Sequence, residues 1–249
     1  MIVTTDSIVL RARKQGETSK IVTLYTLDYG KLNVIAKGAR EIKSKFGGAL
    51  EMFARTSAVF YKKERHDELY LLSKAEPIES NAKILQSLDS MEAATAIVEL
   101  ILRSMHDEEA NPEIFALLAD TLHAIASASV GARIGLGARS EGPASSLQFR
   151  FYLEFARIMG FEMDLGNTER LGTQPAAAGS PESSAALRHL RGSTLDKARS
   201  LRLSERAKSE LSYLFHAYFA EHVPGITSRS MKSGKVFSSL ESRLGDGKP

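Results

Sequence analysis

A chain of 249 residues with 43% hydrophobic and 25% charged residues has apolar material for one or two globular domains, and a formal charge of +3 is too small to mark a nucleic-acid binder by itself. Cysteine is absent, which excludes disulfides and thiolate metal sites and fits a reducing compartment. No stretch reaches the roughly 20 apolar residues of a membrane-spanning helix, and Met1-Ile2-Val3-Thr4-Thr5-Asp6 lacks the basic and apolar regions of a secretory signal, so no membrane contact and a cytoplasmic location are expected.

The first eighty residues read as strands. Ile2 to Arg13 is extended and β-branched, and Ile21 to Leu27 is a second such run. Asp28-Tyr29-Gly30-Lys31 is a turn signal before a third strand, Leu32 to Ala36. Thr56 to Tyr61 and Leu69 to Leu72 complete a hairpin around residues 62–68. Period-2 patterning bounded by turn residues carries these assignments. Five short strands with a long basic connection after the third suit an OB-type barrel, with an SH3-like barrel as the alternative.

That connection, Lys37 to Gly48, is the most informative stretch. Between Lys31 and Lys45 stand Lys31, Lys37, Arg40, Lys43 and Lys45 against Glu41 alone. Residues 1–80 hold fourteen Lys/Arg and ten Asp/Glu, so the positive charge gathers where the strands are. A cationic, glycine-punctuated loop suits a phosphate backbone; a plain solvated loop is the competing reading. Tyr29 and Phe46, at turn and loop positions, are the candidates for stacking on bases.

Past Pro77 the spacing turns helical. Ile84, Leu85 and Leu88 share a face, as do Ala93, Ile97, Leu100 and Ile101, followed by Met105. Asp107-Glu108-Glu109 reads as a solvated charge run. Asn111-Pro112-Glu113 is a helix start, with a capping side chain, proline at the first helical position and an acid in the first turn. Ile114, Leu117, Leu118, Thr121, Leu122 and Ile125 form its stripe. Residues 131–143 are a glycine-rich break. Leu147 to Met159 is an aromatic-rich helix ended by Gly160, and Ser204-Glu205 opens a last helix with Leu211, Leu214, Phe215, Tyr218 and Phe219 facing inward. The expected domains are 1–80, a DNA-binding OB-fold; 81–223, helical with a flexible loop at 165–184; and 224–249, a basic Ser-rich tail without order.

Catalytic chemistry is not legible. Ser233-Gly234-Lys235-Val236 resembles a P-loop end, but Arg229 stands where the first glycine belongs and Val236 where magnesium needs Ser or Thr. Gly135-Leu136-Gly137 lacks the third glycine of a dinucleotide fingerprint, since Ser140 follows. The six histidines show no metal-binding spacing, and no G-x-S-x-G elbow occurs. A binding module without catalytic residues, metal or cofactor is the expectation. A protein-interaction scaffold whose basic barrel takes an acidic partner is the alternative.

Four blocks in order, Gly16-Glu17-Thr18-Ser19-Lys20-Ile21-Val22-Thr23-Leu24-Tyr25-Thr26, Tyr29-Gly30-Lys31, Lys37-Gly38-Ala39-Arg40 and Lys43-Ser44-Lys45-Phe46-Gly47-Gly48-Ala49-Leu50, resemble the bacterial RecO family of DNA repair proteins. A weaker likeness runs through Asn111 to Phe115 and Phe149 to Phe161. The resemblance implies an N-terminal OB-fold, a helical domain and a recombination mediator. Such a protein binds single- and double-stranded DNA, anneals complementary strands, and works with RecR to load RecA onto DNA coated by single-strand-binding protein. It implies DNA contact by Lys20, Lys31, Lys37, Arg40, Lys43 and Lys45, with Arg11, Arg13 and Lys14 as secondary candidates. Many family members carry a cysteine zinc module after the segment ending here at Gly160-Phe161. This chain has no cysteine there, so no zinc is expected.

Overall fold

The computed structural model describes residues 1–62, 69–128, 142–163 and 180–226. They group into two units: Met1–Ala82 with Met105–Ala119, and Lys83–Ser104 with the described residues from Asp120 onward.

In the first unit, five strands close a barrel in the order β1-β2-β3-β5-β4. They are β1 (Ile2–Gln15), β2 (Ser19–Thr26), β3 (Gly30–Ala36), β4 (Arg55–Tyr61) and β5 (Tyr70–Glu79). Every pairing is antiparallel except β3 with β5, which is parallel and closes the barrel. This is the OB arrangement. Alternation decides which side chains go in. Val22 and Leu24 of β2 and Leu32, Val34 and Ala36 of β3 line a core with Phe60, Tyr70 and Leu72. Thr23 and Asn33, paired across the ladder, fall on the outer face.

Two features were not expected. The connection after β3 folds back into the barrel: Phe46, Ala49, Leu50, Phe53 and Ala54 are all at most 3% exposed. A 3-10 turn, Gly47–Leu50, lies in this segment. The second is a strap. Asp107 bridges to Lys31 in a parallel pairing, and Glu108 N–H donates to the Lys31 carbonyl at 2.8 Å. Tyr70 Oη donates to Glu108 Oε1 at 2.5 Å. Burial foremost, and then that bond, push the Tyr70 phenol up to about 12. The run Asp107-Glu108-Glu109 is therefore structural at Asp107 and Glu108, not merely solvated. Its acids satisfy groups on β3 and β5. Gly30, at φ +64°, lies so close to Glu109 that a Cβ there would sit 2.1 Å from the Glu109 carbonyl oxygen, so only glycine fits.

The second unit is helical: α1 (Leu88–Ser104), α2 (Pro112–Ala128, from Asp120 onward), α3 (Ala144–Ile158), α4 (Pro181–Leu190), α5 (Leu195–Ser200) and α6 (Glu205–His222). Its core is aromatic: Phe149 stacks on Phe215 at 5.6 Å, and Tyr152 meets Phe215 and Phe219 edge-on at 5.2 Å. Asp89 of α1 accepts from Ala144 N–H and Ser145 Oγ at the start of α3 and lies 3.7 Å from Lys208 of α6. Residues 181–184, expected at the end of a flexible loop, instead open α4. Ser180 caps that helix by accepting from Ser183 N–H, and Pro181 follows it. The rest of that loop (165–179), the break at 131–141 and the tail beyond 226 lie outside the described residues.

Two helix starts are cross-linked. Glu210 Oε2 of α6 accepts from Ser180 N–H, Ser180 Oγ and Ser183 Oγ at 2.6–2.8 Å. Glu182 of α4 accepts from Ser204 N–H and Oγ, the cap of α6. The bonds from Ser180 and Ser183, with that from Arg206, hold the Glu210 carboxyl far down, at about 2.

Candidate nucleic-acid interface

The tip of the β1–β2 hairpin extends past the barrel core, while Ile21 and Val22 of β2 remain buried. A bulge between Val9 and Arg11 shifts the register, so Val9 opposes Leu24 inside while Arg11 opposes Thr23 and Arg13 opposes Ile21 on the outer face. Lys14 opposes Lys20 on the other face. From Arg11 to Thr18 every residue is exposed. The hairpin is thus a ribbon with cations on both sides, and two like charges face one another across it, an arrangement that is unfavourable without an anion or counter-charge. Glu51 supplies part of that charge, 3.6 Å from Lys20 Nζ.

The loop after β3 is built to hold its shape. Gly38, at φ +72°, makes a tight turn, with the Glu41 N–H donating to the Gly38 carbonyl at 3.2 Å. Phe46 anchors the far end in the core. Lys37, just before the turn, and Lys43 and Lys45 between these points are exposed. Arg40 bridges loop and hairpin. Its Nη1 donates to the carbonyls of Gly16 at 2.8 Å and Glu17 at 2.6 Å, and its backbone N–H donates to the Thr18 carbonyl at 2.9 Å.

The nine cations singled out from sequence therefore divide. Arg11, Arg13, Lys14, Lys37, Lys43 and Lys45 form no ion pair with a described carboxylate and stand on the hairpin and the loop joined to it. Lys20, half-buried, is near Glu51. Lys31 has a side chain only 14% exposed and pairs with Asp107 at 3.2 Å, so it holds the strap. Arg40 spends both Nη1 hydrogens on backbone. Of the stacking candidates, Phe46 is 2% exposed and has no face to offer a base, because the loop folds it into the barrel. Tyr29 is half-buried, edge-on to Phe60, with Lys62 Nζ 4.4 Å from its ring centroid.

Sequence reading missed Thr23 and Asn33. Thr23 Oγ1 donates to Asn33 Oδ1 at 2.7 Å, on the outer face that also carries Arg11 and Arg13. The β2–β3 face and the β1–β2 loop are where OB-folds take oligonucleotides. A polar residue alternating with Val22 and Leu24 was the available signal.

Residues 1–81 match the family model described as Recombination protein O N terminal, and residues 85–232 match Recombination protein O C terminal. The DNA repair protein RecO of Salinibacter ruber is 38% identical over 159 residues, 64% of this chain and 56% of the relative. That of Alkaliphilus metalliredigens is 32% identical over 123 residues, 49% of each chain. That of Geobacter metallireducens is 33% identical over 175 residues, covering 70% of this chain and 65% of the relative. The chain spans about half the length of the first two of these curated relatives. With both halves matched and an OB barrel leading a helical unit, the chain belongs to the RecO family of recombination proteins.

Proposed function

We propose that the protein is a DNA-repair recombination mediator, and that the hairpin and the loop after β3 bind single- and double-stranded DNA through their phosphates. The observation that carries this reading is the grouping of six cations without carboxylate partners among the described residues on two segments tied together by Arg40. Phosphate contact releases counterions, so affinity falls steeply with salt. The outer face of β2–β3, with Thr23 and Asn33, would lie along the sugars and bases. Among the described residues no acid/base pair or nucleophile accompanies them, and the reading is of a binding protein without turnover.

Annealing follows from the same charge. Two strands repel until a cationic surface screens them, and phosphate contact leaves base edges free to pair. The family suggests RecR, single-strand-binding protein and RecA as partners, with recombinase loading as the outcome. No helix among the described residues is long and apolar enough to cross a membrane, and the reading places the protein in the cytoplasm.

Fluorescence anisotropy of the full chain with labelled single- and double-stranded oligonucleotides over a salt series tests this reading. An acidic peptide of matched charge serves as comparator. Tight DNA binding with a steep salt slope, and annealing that disappears over the same salt range, support it. Equal or tighter binding of the peptide favours the scaffold alternative and overturns it.

A further inference from the structure

We propose that Arg40 acts as a positioning residue, latching the β1–β2 hairpin to the loop after β3 so that two separate cation groups are held in a fixed relation to one another; this rests on the DNA-binding reading above. Arg40 lies in the most basic stretch of the chain and reads from sequence as one more phosphate ligand. The geometry gives it another task. Both hydrogens of Nη1 are taken by the Gly16 and Glu17 carbonyls, and the Arg40 amide is taken by Thr18. Three bonds from one residue therefore reach three consecutive residues of the hairpin tip.

The tip needs such a partner. It turns through Gly16 at φ +58°, and every residue from Arg11 to Thr18 is exposed, although Ile21 and Val22 on the β2 side are buried and paired to β3. Beyond the Lys20–Ala36 pair the tip has no third strand, and a two-stranded end of this kind is marginal in water. The loop, by contrast, is fixed by the Gly38 turn and by buried Phe46. Arg40 fastens the weak element to the strong one. The segment that carries Arg11, Arg13 and Lys14 is thereby fixed to the one that carries Lys37, Lys43 and Lys45 before DNA arrives, and the cost of ordering it does not fall on binding.

A double-mutant cycle on the full chain, read by anisotropy with a fluorescein-labelled oligothymidylate over a salt series, tests this. Arg40→Ala is crossed with Arg13→Ala/Lys14→Ala. For independent phosphate ligands the losses add, and Arg40→Ala shallows the slope by about 0.7, the share of one cation on a single strand. For a latch, Arg40→Ala shallows it by about twice that or more, because hairpin contacts are lost as well. The hairpin change then costs about tenfold in the native background but under about threefold beside Arg40→Ala. Hydrogen exchange without DNA supplies a second readout: amides 16–20 exchange faster in Arg40→Ala while those of the helical unit do not. Additive losses, or unchanged exchange at the tip, overturn the latch and leave DNA binding standing. A native chain that binds no oligonucleotide overturns both.

Discussion

Replacing Lys37, Lys43 and Lys45 together by alanine removes half of the six cations that pair with no described carboxylate, while leaving the barrel core intact. All three side chains are exposed, and none bonds to β-sheet backbone. Lys45 Nζ lies 5.2 Å from the Phe46 ring centroid, a surface contact worth about 0.5–1 kcal/mol. If all six cations meet phosphates of a single strand, the slope of log affinity against log salt is about −4, at about −0.7 per contact. Raising salt from about 50 to about 200 mM then weakens the native chain roughly 300-fold and the triple variant, with a slope near −2, only about 20-fold. Anisotropy at five or so salt concentrations resolves that difference, and far-UV circular dichroism checks the fold. A folded triple variant with the native slope would refute the assignment of these lysines to phosphate.

Other expectations follow from the packing. Gly30→Ala drives a Cβ into the Glu109 carbonyl and is expected to cost about 3 kcal/mol or more, whereas Gly38→Ala, strained in φ but facing only the movable Glu41 side chain at 3.3 Å, costs about 1–2 kcal/mol; urea unfolding separates them. Tyr70→Phe removes the bond to Glu108 and loosens the strap, at about 1.5–3 kcal/mol for a hydrogen bond to a charged group, read as a lower thermal midpoint. Lys31→Ala costs up to about 1 kcal/mol of stability, seen as a smaller drop in the same midpoint, with no change in the salt slope for DNA, since Lys31 pairs with Asp107. The Glu210 carboxyl is depressed to about 2, so it contributes stability above the ordinary carboxylate pKa. That stability drains away as pH falls through the range from ordinary carboxylate values toward 2. Glu210→Gln is expected to flatten the acid limb of a stability–pH curve in that window.

Much of the barrel was legible because its signals are local. Alternation in Leu32 to Ala36 and the Asp28-Tyr29-Gly30-Lys31 turn state a strand and its start directly, and Asn111-Pro112-Glu113 states a helix start. Phe46 was misplaced because charge drew attention away from spacing. Phe46, Ala49, Leu50, Phe53 and Ala54 recur at intervals of three and four, the mark of a segment returning to the core. Ser180-Pro181-Glu182 repeats the capping logic of Asn111-Pro112-Glu113, yet its Gly/Ala/Pro-rich approach hid it. The division of labour among the cations could not be read from sequence at all. Whether a lysine meets Asp107 or solvent, and whether an arginine meets phosphate or the Gly16 carbonyl, depends on residues distant in the chain. Asp107 comes to Lys31 from 76 positions away, and local composition carries no trace of that.

Hydrogen exchange of the full chain with and without a saturating oligonucleotide tests the central claim most directly. The account predicts slowed exchange in two windows, residues 11–20 and 37–45, at low salt, fading as salt rises. Protection confined to the helical unit, with both windows unchanged, contradicts it.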